Sequence, residues 1–221
     1  MVIKKFEFDG IILAAGLSSR MKDWKPGIKI NDFPVIIHTI KPMLDHCRKV
    51  FVVGGYNFEK LQRIINEENY FSKLQHEKIV LVKNENYTLG MFSSVKTGLL
   101  NIKNSPGTII IPGDIPFVKS STYSNLKNNF SSFPEIDLFI PTAKVEMDDS
   151  PVTDMVRKGH PVLLRKNIFN NIISYLDEEN LRDVLEEFSA KYCLQNDQGI
   201  FMDIDDKNDL ERVKNYLVKL R

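Results

Sequence analysis

The chain has 221 residues, 43% hydrophobic and 27% charged, a composition typical of a globular protein with one substantial core. Its formal net charge of +1 gives no general attraction for polyanions, which argues against nucleic acid as a partner. No apolar stretch approaches the roughly 20 residues of a membrane-spanning helix, and the first residues lack the apolar run of a signal peptide. We therefore expect a cytoplasmic protein with no membrane partner.

Short apolar runs alternate with longer amphipathic stretches, which is typical of βαβ units and a mainly parallel sheet. Apolar runs predict strands, and apolar residues at helical spacing predict the helices between them. The predicted strands are Gly10–Leu13, Val50–Val53, Ile79–Val82, Thr108–Ile111 and Asp137–Ile140. The predicted helices are Val35–His46, Asn57–Glu67, Met91–Ile102 and Ser120–Asn129.

The pattern changes after Pro141. Residues 143–158 are polar and poorly periodic, which predicts a loop or an exposed hairpin. Two further strands are predicted after it, at Pro161–Leu164 and Ile200–Ile204. Helices are predicted near Asn167–Tyr175 and Asn180–Phe188, and a closing helix begins after Asp205 and runs to the end. No linker or repeat separates these parts, so we predict that residues 1–221 form one α/β domain with helices on both faces of the sheet.

The loop after the first predicted strand reads Leu-Ala-Ala-Gly-Leu-Ser-Ser-Arg-Met-Lys-Asp-Trp-Lys over residues 13–25. Small residues let a ligand approach the backbone, whose N–H groups can turn inward to bind an anion. Arg20 and Lys25 add positive charge. A triphosphate suits this loop, and the predicted nucleotide contacts are Leu13, Ala14, Ala15, Gly16, Ser18, Ser19, Arg20 and Lys25.

One carboxylate, Asp114, follows the buried strand in Ile-Ile-Ile-Pro-Gly-Asp-Ile-Pro. Ligands of open parallel sheets bind beyond the carboxyl ends of the strands, which brings Asp114 towards the first loop. Magnesium takes one or two carboxylates together with substrate phosphates and water. Asp114 is therefore a predicted Mg²⁺ ligand and nucleotide contact, and a cap of the following helix is the alternative.

Met-Asp-Ile-Asp-Asp near the end of the chain offers a second acid. Asp203 and Asp205 alternate around Ile204, so in a strand they would share one face. Either can complete the metal site, and the residues alone do not choose between them. The other one, or Asp206, is expected to cap the last helix.

The segment from Gly90, Gly-Met-Phe-Ser-Ser-Val-Lys-Thr-Gly, predicts a tight turn that leads into a helix. Ser93 and Ser94 fall in its first turn, beside unpaired N–H donors that suit nucleotide or ribose oxygens. Simple helix caps are the alternative for both serines. Lys96 is more typical of a solvated side chain than of a catalytic one.

His160 lies between Gly159 and Pro161, at the entry to a predicted strand, and is either a donor to a substrate phosphate or structural. Several common motifs are missing from the sequence. There is no G-x-x-x-x-G-K-[ST], no G-x-G-x-x-G after the first strand and no nucleophile elbow. The chemistry that remains is metal-assisted phosphoryl-type transfer without a covalent intermediate.

Six segments, in this order, resemble the MobA-like nucleotidyltransferases, and within them the molybdenum cofactor cytidylyltransferases. They are Leu-Ala-Ala-Gly-Leu-Ser-Ser-Arg-Met with Lys25, Gly-Met-Phe-Ser-Ser-Val-Lys-Thr-Gly-Leu, Gly-Asp-Ile-Pro, Gly-His-Pro-Val-Leu, Leu-Arg-Asp-Val-Leu and Asp-Ile-Asp. The resemblance covers almost the whole chain. It implies a Rossmann-like sheet of the nucleotide-diphospho-sugar transferase type.

The resemblance also implies roles for individual residues. NTP phosphates would contact Gly16, Ser18, Arg20 and Lys25. Magnesium would contact Asp114 and the Asp203–Asp205 segment, and the acceptor would contact His160 and Arg182. The chain departs from the family pattern at Lys22, where glycine is usual, and at Pro26-Gly27, where an apolar pair is usual.

The expected reaction is in-line attack by an acceptor phosphate on the α-phosphorus of an NTP, with release of pyrophosphate. Arg20, Lys25 and Asp114 are its predicted catalytic residues. Ala15 matches the Ala-Ala-Gly of cytidylyltransferases and favours CTP over GTP. Gly-His-Pro and Leu-Arg-Asp-Val-Leu favour molybdopterin as the acceptor. The alternatives are a sugar- or polyol-phosphate cytidylyltransferase and a non-catalytic chaperone that hands cofactor to a molybdenum hydroxylase.

Overall fold

The computed structural model describes residues 7–17, 23–67, 69–145, 155–177 and 179–219. The strands are β1 Phe8–Ala14, β2 Lys29–Ile30, β3 Phe33–Pro34, β4 Cys47–Gly54, β5 Ile79–Lys83, β6 Gly107–Pro112, β7 Leu138–Lys144, β8 Val156–Lys158, β9 Val162–Arg165 and β10 Ala190–Leu194. The helices are α1 Val35–His46, α2 Phe58–Ile65, α3 Lys73–His76, α4 Met91–Asn101, α5 Ser120–Ser132, α6 Phe169–Ser174, α7 Leu181–Glu186 and α8 Lys207–Lys219. Within these ranges, none of the helices has the length and apolar character needed to cross a membrane.

The main sheet has the strand order β10-β7-β9-β6-β1-β4-β5, and β8 pairs with β7. Strands β6, β1, β4 and β5 run parallel to their neighbours in this series, as β10 does to β7. Only β9, between β6 and β7, and β8 are antiparallel to their partners among the described strands of this sheet. The prediction of a mainly parallel sheet is confirmed.

Successive residues of the central strands point to opposite faces, which builds two hydrophobic cores. Ile12 belongs to a core that includes side chains of α1, α2 and α5. Ile11 belongs to a second core, with side chains of α4, α6 and α7. Both faces of the sheet are thus covered by helices, which explains why these strands read as continuous apolar runs.

The predicted strand at Ile200–Ile204 is wrong. Residues Gln198–Phe201 form a 3-10 turn, and the edge strand is β10, which the sequence analysis missed. Ile200 and Ile204 resemble strand residues because they are buried, but each is held by a backbone contact with a distant residue rather than by a strand. The carbonyl of Ile200 accepts from the His160 N–H at 2.9 Å, and the N–H of Ile204 donates to the Asp114 carbonyl at 3.2 Å.

The predicted loop or hairpin over residues 143–158 is a hairpin where the structure describes it. Strand β8 lies antiparallel to β7, with Thr142 opposite Lys158 and Lys144 opposite Val156. The acidic residues 146–154 lie outside the described part of the chain.

A buried carboxylate fixes the C-terminal segment beside the end of β6. Asp197, 1% exposed, accepts hydrogen bonds from the Lys119 N–H at 2.9 Å and the Thr122 hydroxyl at 2.6 Å. It also accepts from the Gly199 N–H at 2.9 Å. A Cβ at Gly199 would lie 2.0 Å from the carbonyl oxygen of Phe117, so only glycine allows this close approach. These contacts position the chain that leads to Asp205.

Replacement of Asp197 by alanine should lower the free energy of unfolding by about 3 kcal/mol, because three buried donors lose their acceptor. Urea unfolding of Asp197→Ala checks this value. Asp45→Ala, at an exposed position of α1, is the matched control and should change the free energy by no more than about 0.5 kcal/mol. Equal midpoints for the two variants would contradict the structural role of Asp197.

Candidate functional site

A cleft of about 340 Å³ opens at the carboxyl ends of β1 and β6. We call it the smaller cleft. Its lining residues are Leu13, Ala14, Ala15, Gly16, Leu17, Lys25, Pro26, Tyr87, Thr88, Gly90, Met91, Ser94, Pro112, Gly113 and Asp114. This edge of the sheet is where ligands of parallel α/β folds bind.

Lys25 and Asp114, which line the smaller cleft, belong to an ion pair that also includes Asp205. Lys25 Nζ lies 3.1 Å from Asp114 Oδ2 and 2.6 Å from Asp205 Oδ1. Burial by itself would lower the pKa of Lys25, but the two carboxylates outweigh it and hold the pKa above its usual value. Lys25 is therefore protonated at neutral pH, and its charge separates two groups that would otherwise repel each other.

Asp114 does not cap the helix that follows it. That helix, α5, begins at Ser120, and the hydrogen-bond acceptor at its start is Asp197. The carboxylate of Asp114 points instead to Lys25, and its side chain is 24% exposed. The helix-cap alternative from the sequence is therefore wrong.

Asp203 and Asp205 do not share a strand face, because residues 202–205 form no strand. Asp205 contacts Lys25, whereas the Asp203 side chain is 52% exposed and lies 4.0 Å from Arg212. Partial burial raises the pKa of Asp203, with further contributions from neighbouring carboxylates that include Asp205 and Asp114. The cap at the start of α8 is Asp206, whose Oδ1 accepts from the N–H of Asn208 at 2.7 Å.

The chemistry of this carboxylate pair fits a divalent cation. Asp114 and Asp205 already hold one cationic group, the ammonium of Lys25, between them. Magnesium needs only one or two carboxylates when substrate phosphates and water complete its shell. Across the described ranges no cluster of three or more histidine, cysteine, aspartate or glutamate side chains could hold a metal. A metal here would therefore depend on the substrate for its remaining ligands.

The buried side-chain amide of Asn84 holds the loop before α4 in place. Asn84, 2% exposed, donates from Nδ2 to the hydroxyls of Ser93 and Ser94, both at 2.9 Å. The Ser93 hydroxyl lies 2.8 Å from the Gly90 carbonyl oxygen and does not line the cleft, whereas Ser94 does. The N-cap residue of α4 is Gly90 and provides no side-chain cap, so neither serine is a cap of the usual kind. Asn84, which organises this loop, is not among the site residues predicted from the sequence.

The first loop is described only in part. Leu13, Ala14, Ala15 and Gly16 line the smaller cleft as predicted. A Cβ at Gly16 would meet nothing within 4 Å, so the backbone there faces open space. The predicted contacts Ser18, Ser19 and Arg20, and the departure at Lys22, lie outside the described residues.

A second cavity, of about 740 Å³, adjoins the smaller cleft, and Gly90 and Met91 line both. We call it the larger cavity. His160 and Arg182, predicted from different segments to contact the acceptor, both line it. Its other charged lining residues are Lys158, Asp177, Glu179 and Glu186, and its aromatic ones are Phe92, Phe188 and Tyr192.

His160 is held in the wall of the larger cavity as a neutral ring. Burial lowers its pKa to about 4, and among the described residues Nδ1 has no hydrogen-bond partner. A neutral imidazole carries a single N–H. Any hydrogen bond that His160 donates to a ligand near neutral pH is therefore uncharged.

Lys96 is not solvated, and the sequence-based expectation is wrong. Its side chain is 16% exposed, and Nζ donates to the Tyr175 carbonyl at 2.6 Å and pairs with Asp177 Oδ1 at 2.6 Å. Asp177 lines the larger cavity. No local spacing could reveal this contact, because about 80 residues separate the two partners.

The family model of the MobA-like NTP transferase domain matches residues 10–192. The chain belongs to this family. It is accordingly a nucleotidyltransferase, as the six segments in its sequence predicted.

Individual relatives match over different lengths. The molybdenum cofactor cytidylyltransferase of Escherichia coli (strain K12) is 26% identical over 212 residues, 93% of this chain and 95% of that protein. The 2-C-methyl-D-erythritol 4-phosphate cytidylyltransferase of Clostridium botulinum (strain Eklund 17B / Type B) is 32% identical over 121 residues, 52% of this chain and 50% of that protein. The latter match therefore spans about half of each protein.

Among solved structures, Rv0371C of Mycobacterium tuberculosis H37Rv, in complex with manganese, has a TM-score of 0.67 at 15% identity. The match covers 95% of this chain and 98% of that one. At this identity the likeness concerns the fold alone, which it supports over nearly the full length.

The depressed pKa of His160 predicts a pH dependence of stability. The unfolded chain binds this proton at a pKa near 6.5 and the folded chain near 4. The free energy of unfolding should therefore fall as the pH drops from about 6.5 towards about 4. His160→Asn should reduce the loss between about pH 7 and pH 5 by about 2 kcal/mol in urea unfolding. His76→Asn, at an exposed histidine, is the control. If the free energy of unfolding falls as much in His160→Asn as in the wild type, the prediction is contradicted.

Proposed function

We propose that the protein transfers CMP from CTP to the phosphate of molybdopterin or its molybdenum complex and releases pyrophosphate. The observation that carries the proposal is that two binding sites adjoin each other. A cleft with a cation position between two carboxylates adjoins a second cavity across Gly90 and Met91. Two substrates that must meet at one phosphorus need such adjoining sites. We also propose that the whole chain acts as one nucleotidyltransferase domain in the cytoplasm.

In this proposal the smaller cleft binds the nucleotide. Magnesium held by Asp114 and Asp205 would neutralise charge on the triphosphate and on the leaving pyrophosphate. Lys25 then exchanges its carboxylate partners for phosphate oxygens, which offer it the same negative charge. The open backbone at Gly16 and the Ser94 hydroxyl face the same cleft. Arg20, in the same loop, is proposed as a second cation for the phosphates.

The larger cavity binds the acceptor with its phosphate directed towards Gly90 and Met91. An acceptor phosphate is already ionised near neutral pH, so it attacks the α-phosphorus without a strong general base. The bond to the acceptor oxygen forms as the bond to pyrophosphate breaks. Catalysis rests on the alignment of the two substrates and on neutralisation of charge. His160 and Arg182 are proposed as acceptor contacts.

The choice of substrates rests on sequence. Ala15 in Ala-Ala-Gly supports CTP over GTP, and cytidylyltransferases are among the relatives. Gly-His-Pro and Leu-Arg-Asp-Val-Leu support molybdopterin, as does the Escherichia coli relative, which matches along nearly its whole length. A molybdenum hydroxylase is the protein that would receive such a product.

Asp203 and Asp205 lie two positions apart in the sequence and allow a specific test of the metal site. Asp114→Ala and Asp205→Ala should each lower kcat for pyrophosphate release by roughly 10³-fold, because each removes a group that holds cationic charge at the triphosphate. Asp203→Ala, two residues from Asp205 but half exposed, should stay within about threefold of the wild type. Steady-state rates with CTP and Mg²⁺ measure this, and circular dichroism confirms that each variant is folded. Near-normal turnover in Asp114→Ala would show that the site is assigned wrongly.

A matrix of nucleotides and acceptors tests the substrates. CTP with molybdopterin should release pyrophosphate at least about tenfold faster than GTP with molybdopterin, a difference of about 1.4 kcal/mol in the barrier. CTP with 2-C-methyl-D-erythritol 4-phosphate should be slower than CTP with molybdopterin. Faster release with that polyol phosphate would favour the alternative enzyme. Tight CTP binding without pyrophosphate release from any pair would favour a non-catalytic carrier.

A further inference from the structure

Lys96 contacts the wall of the larger cavity through Asp177. It lies on α4, whose first turn faces both cavities. Met91 lines both cavities, Phe92 lines the larger cavity, and Ser94 lines the smaller cleft. A residue one turn further along the same helix is thus well placed to affect the cavity walls without contact with either substrate.

The ammonium of Lys96 ties α4 to the connection between α6 and α7. It donates to the carbonyl oxygen of Tyr175, the residue directly after α6, and pairs with the carboxylate of Asp177. Both distances are 2.6 Å, and the lysine and aspartate side chains are only 16% and 24% exposed. A partly buried charge that loses its partner is strongly disfavoured. Lys96 therefore fixes where Asp177 lies.

The pair also sets the charge of the larger cavity. Among the residues that the structure describes, three carboxylates line it, those of Asp177, Glu179 and Glu186, together with two cationic side chains, Lys158 and Arg182. Lys96 neutralises one of these three carboxylates, that of Asp177, by pairing with it. Without it, the cavity would present an additional negative charge to a ligand that carries a phosphate.

We propose that Lys96 is a positioning residue, which holds and neutralises Asp177 so that the larger cavity accepts an anionic substrate. The kinetic part of this inference rests on the proposed function. Lys96 touches neither substrate and acts through Asp177 and the backbone at Tyr175. Its loss should consequently weaken acceptor binding while CTP binding is retained.

Lys96→Met removes the charge and keeps the length of the side chain. Its KM for molybdopterin should rise about tenfold, because like charges now face each other, while its KM for CTP stays within about twofold. Lys96→Arg should restore most of the affinity for the acceptor. The double variant Lys96→Met/Asp177→Asn should also recover, because the uncompensated carboxylate is gone. Lys214→Met, which breaks a surface ion pair with Glu211, is the matched control.

Hydrogen exchange provides a readout that does not depend on the reaction. In Lys96→Met the backbone amides of residues 175–177 and 179–181 should exchange at least about fivefold faster than in the wild type, and those in Lys214→Met should not. If the wild type does not turn over molybdopterin, the proposed function fails, and the exchange comparison alone decides the placement of Asp177.

Four results would overturn the role of Lys96. One is exchange in Lys96→Met that equals the wild-type rate. Another is faster exchange with an unchanged KM for molybdopterin, which would make the contact merely structural. The third is an equal rise in KM for both substrates, and the fourth is a double variant that is no better than Lys96→Met.

Discussion

The contact of Lys25 with Asp114 and Asp205 is the interaction on which the site depends. Its three members come from the first loop, the end of β6 and the segment before α8, and 180 residues separate Lys25 from Asp205. Two carboxylates this close would repel each other, and the ammonium offsets that repulsion. The C-terminal segment reaches the site because Asp197 fixes its start and the Asp114 carbonyl accepts from the N–H of Ile204. The position of Asp205 in the site therefore depends on these contacts of the C-terminal segment.

The turn at Gly90 lies where the two cavities adjoin, and Gly90 lines both of them. Gly90 has a φ of +102°, a backbone conformation that favours glycine, and α4 begins directly after it. Asn84 holds the loop before this turn, and a Cβ at Gly55 would lie 2.4 Å from Tyr87, so the loop rests against bare backbone. The loop that leads to the partition is thus held by the buried Asn84, whereas Gly90 and Met91, which line both cavities, are exposed. Under the proposed function, these two residues would lie where the two substrates meet.

Sequence reasoning succeeded where local signals and the sheet topology were sufficient. Apolar runs located the central strands, and the rule for strand ends brought Gly16 and Asp114 to one cleft. It failed where burial arose from single long-range contacts. Ile200 and Ile204 are buried as anchors and imitated a strand, and Lys96 is paired with a residue far along the chain. That Asp205 contacts Lys25 likewise depends on where Lys25 lies, which no spacing along the chain encodes.

At each cavity a lysine pairs with carboxylates and offsets their charge. Lys25 pairs with Asp114 and Asp205 at the smaller cleft, and Lys96 pairs with Asp177 in the wall of the larger cavity. Under the proposed function, a triphosphate in the smaller cleft would offer Lys25 oxygens equivalent to those of its carboxylate partners. Lys96 donates to the carbonyl of Tyr175 as well as to Asp177, and a substrate would not replace that carbonyl. The proposed role of Lys25 is therefore to bind the nucleotide, whereas the proposed role of Lys96 is to stay in place and to limit the negative charge on the acceptor side.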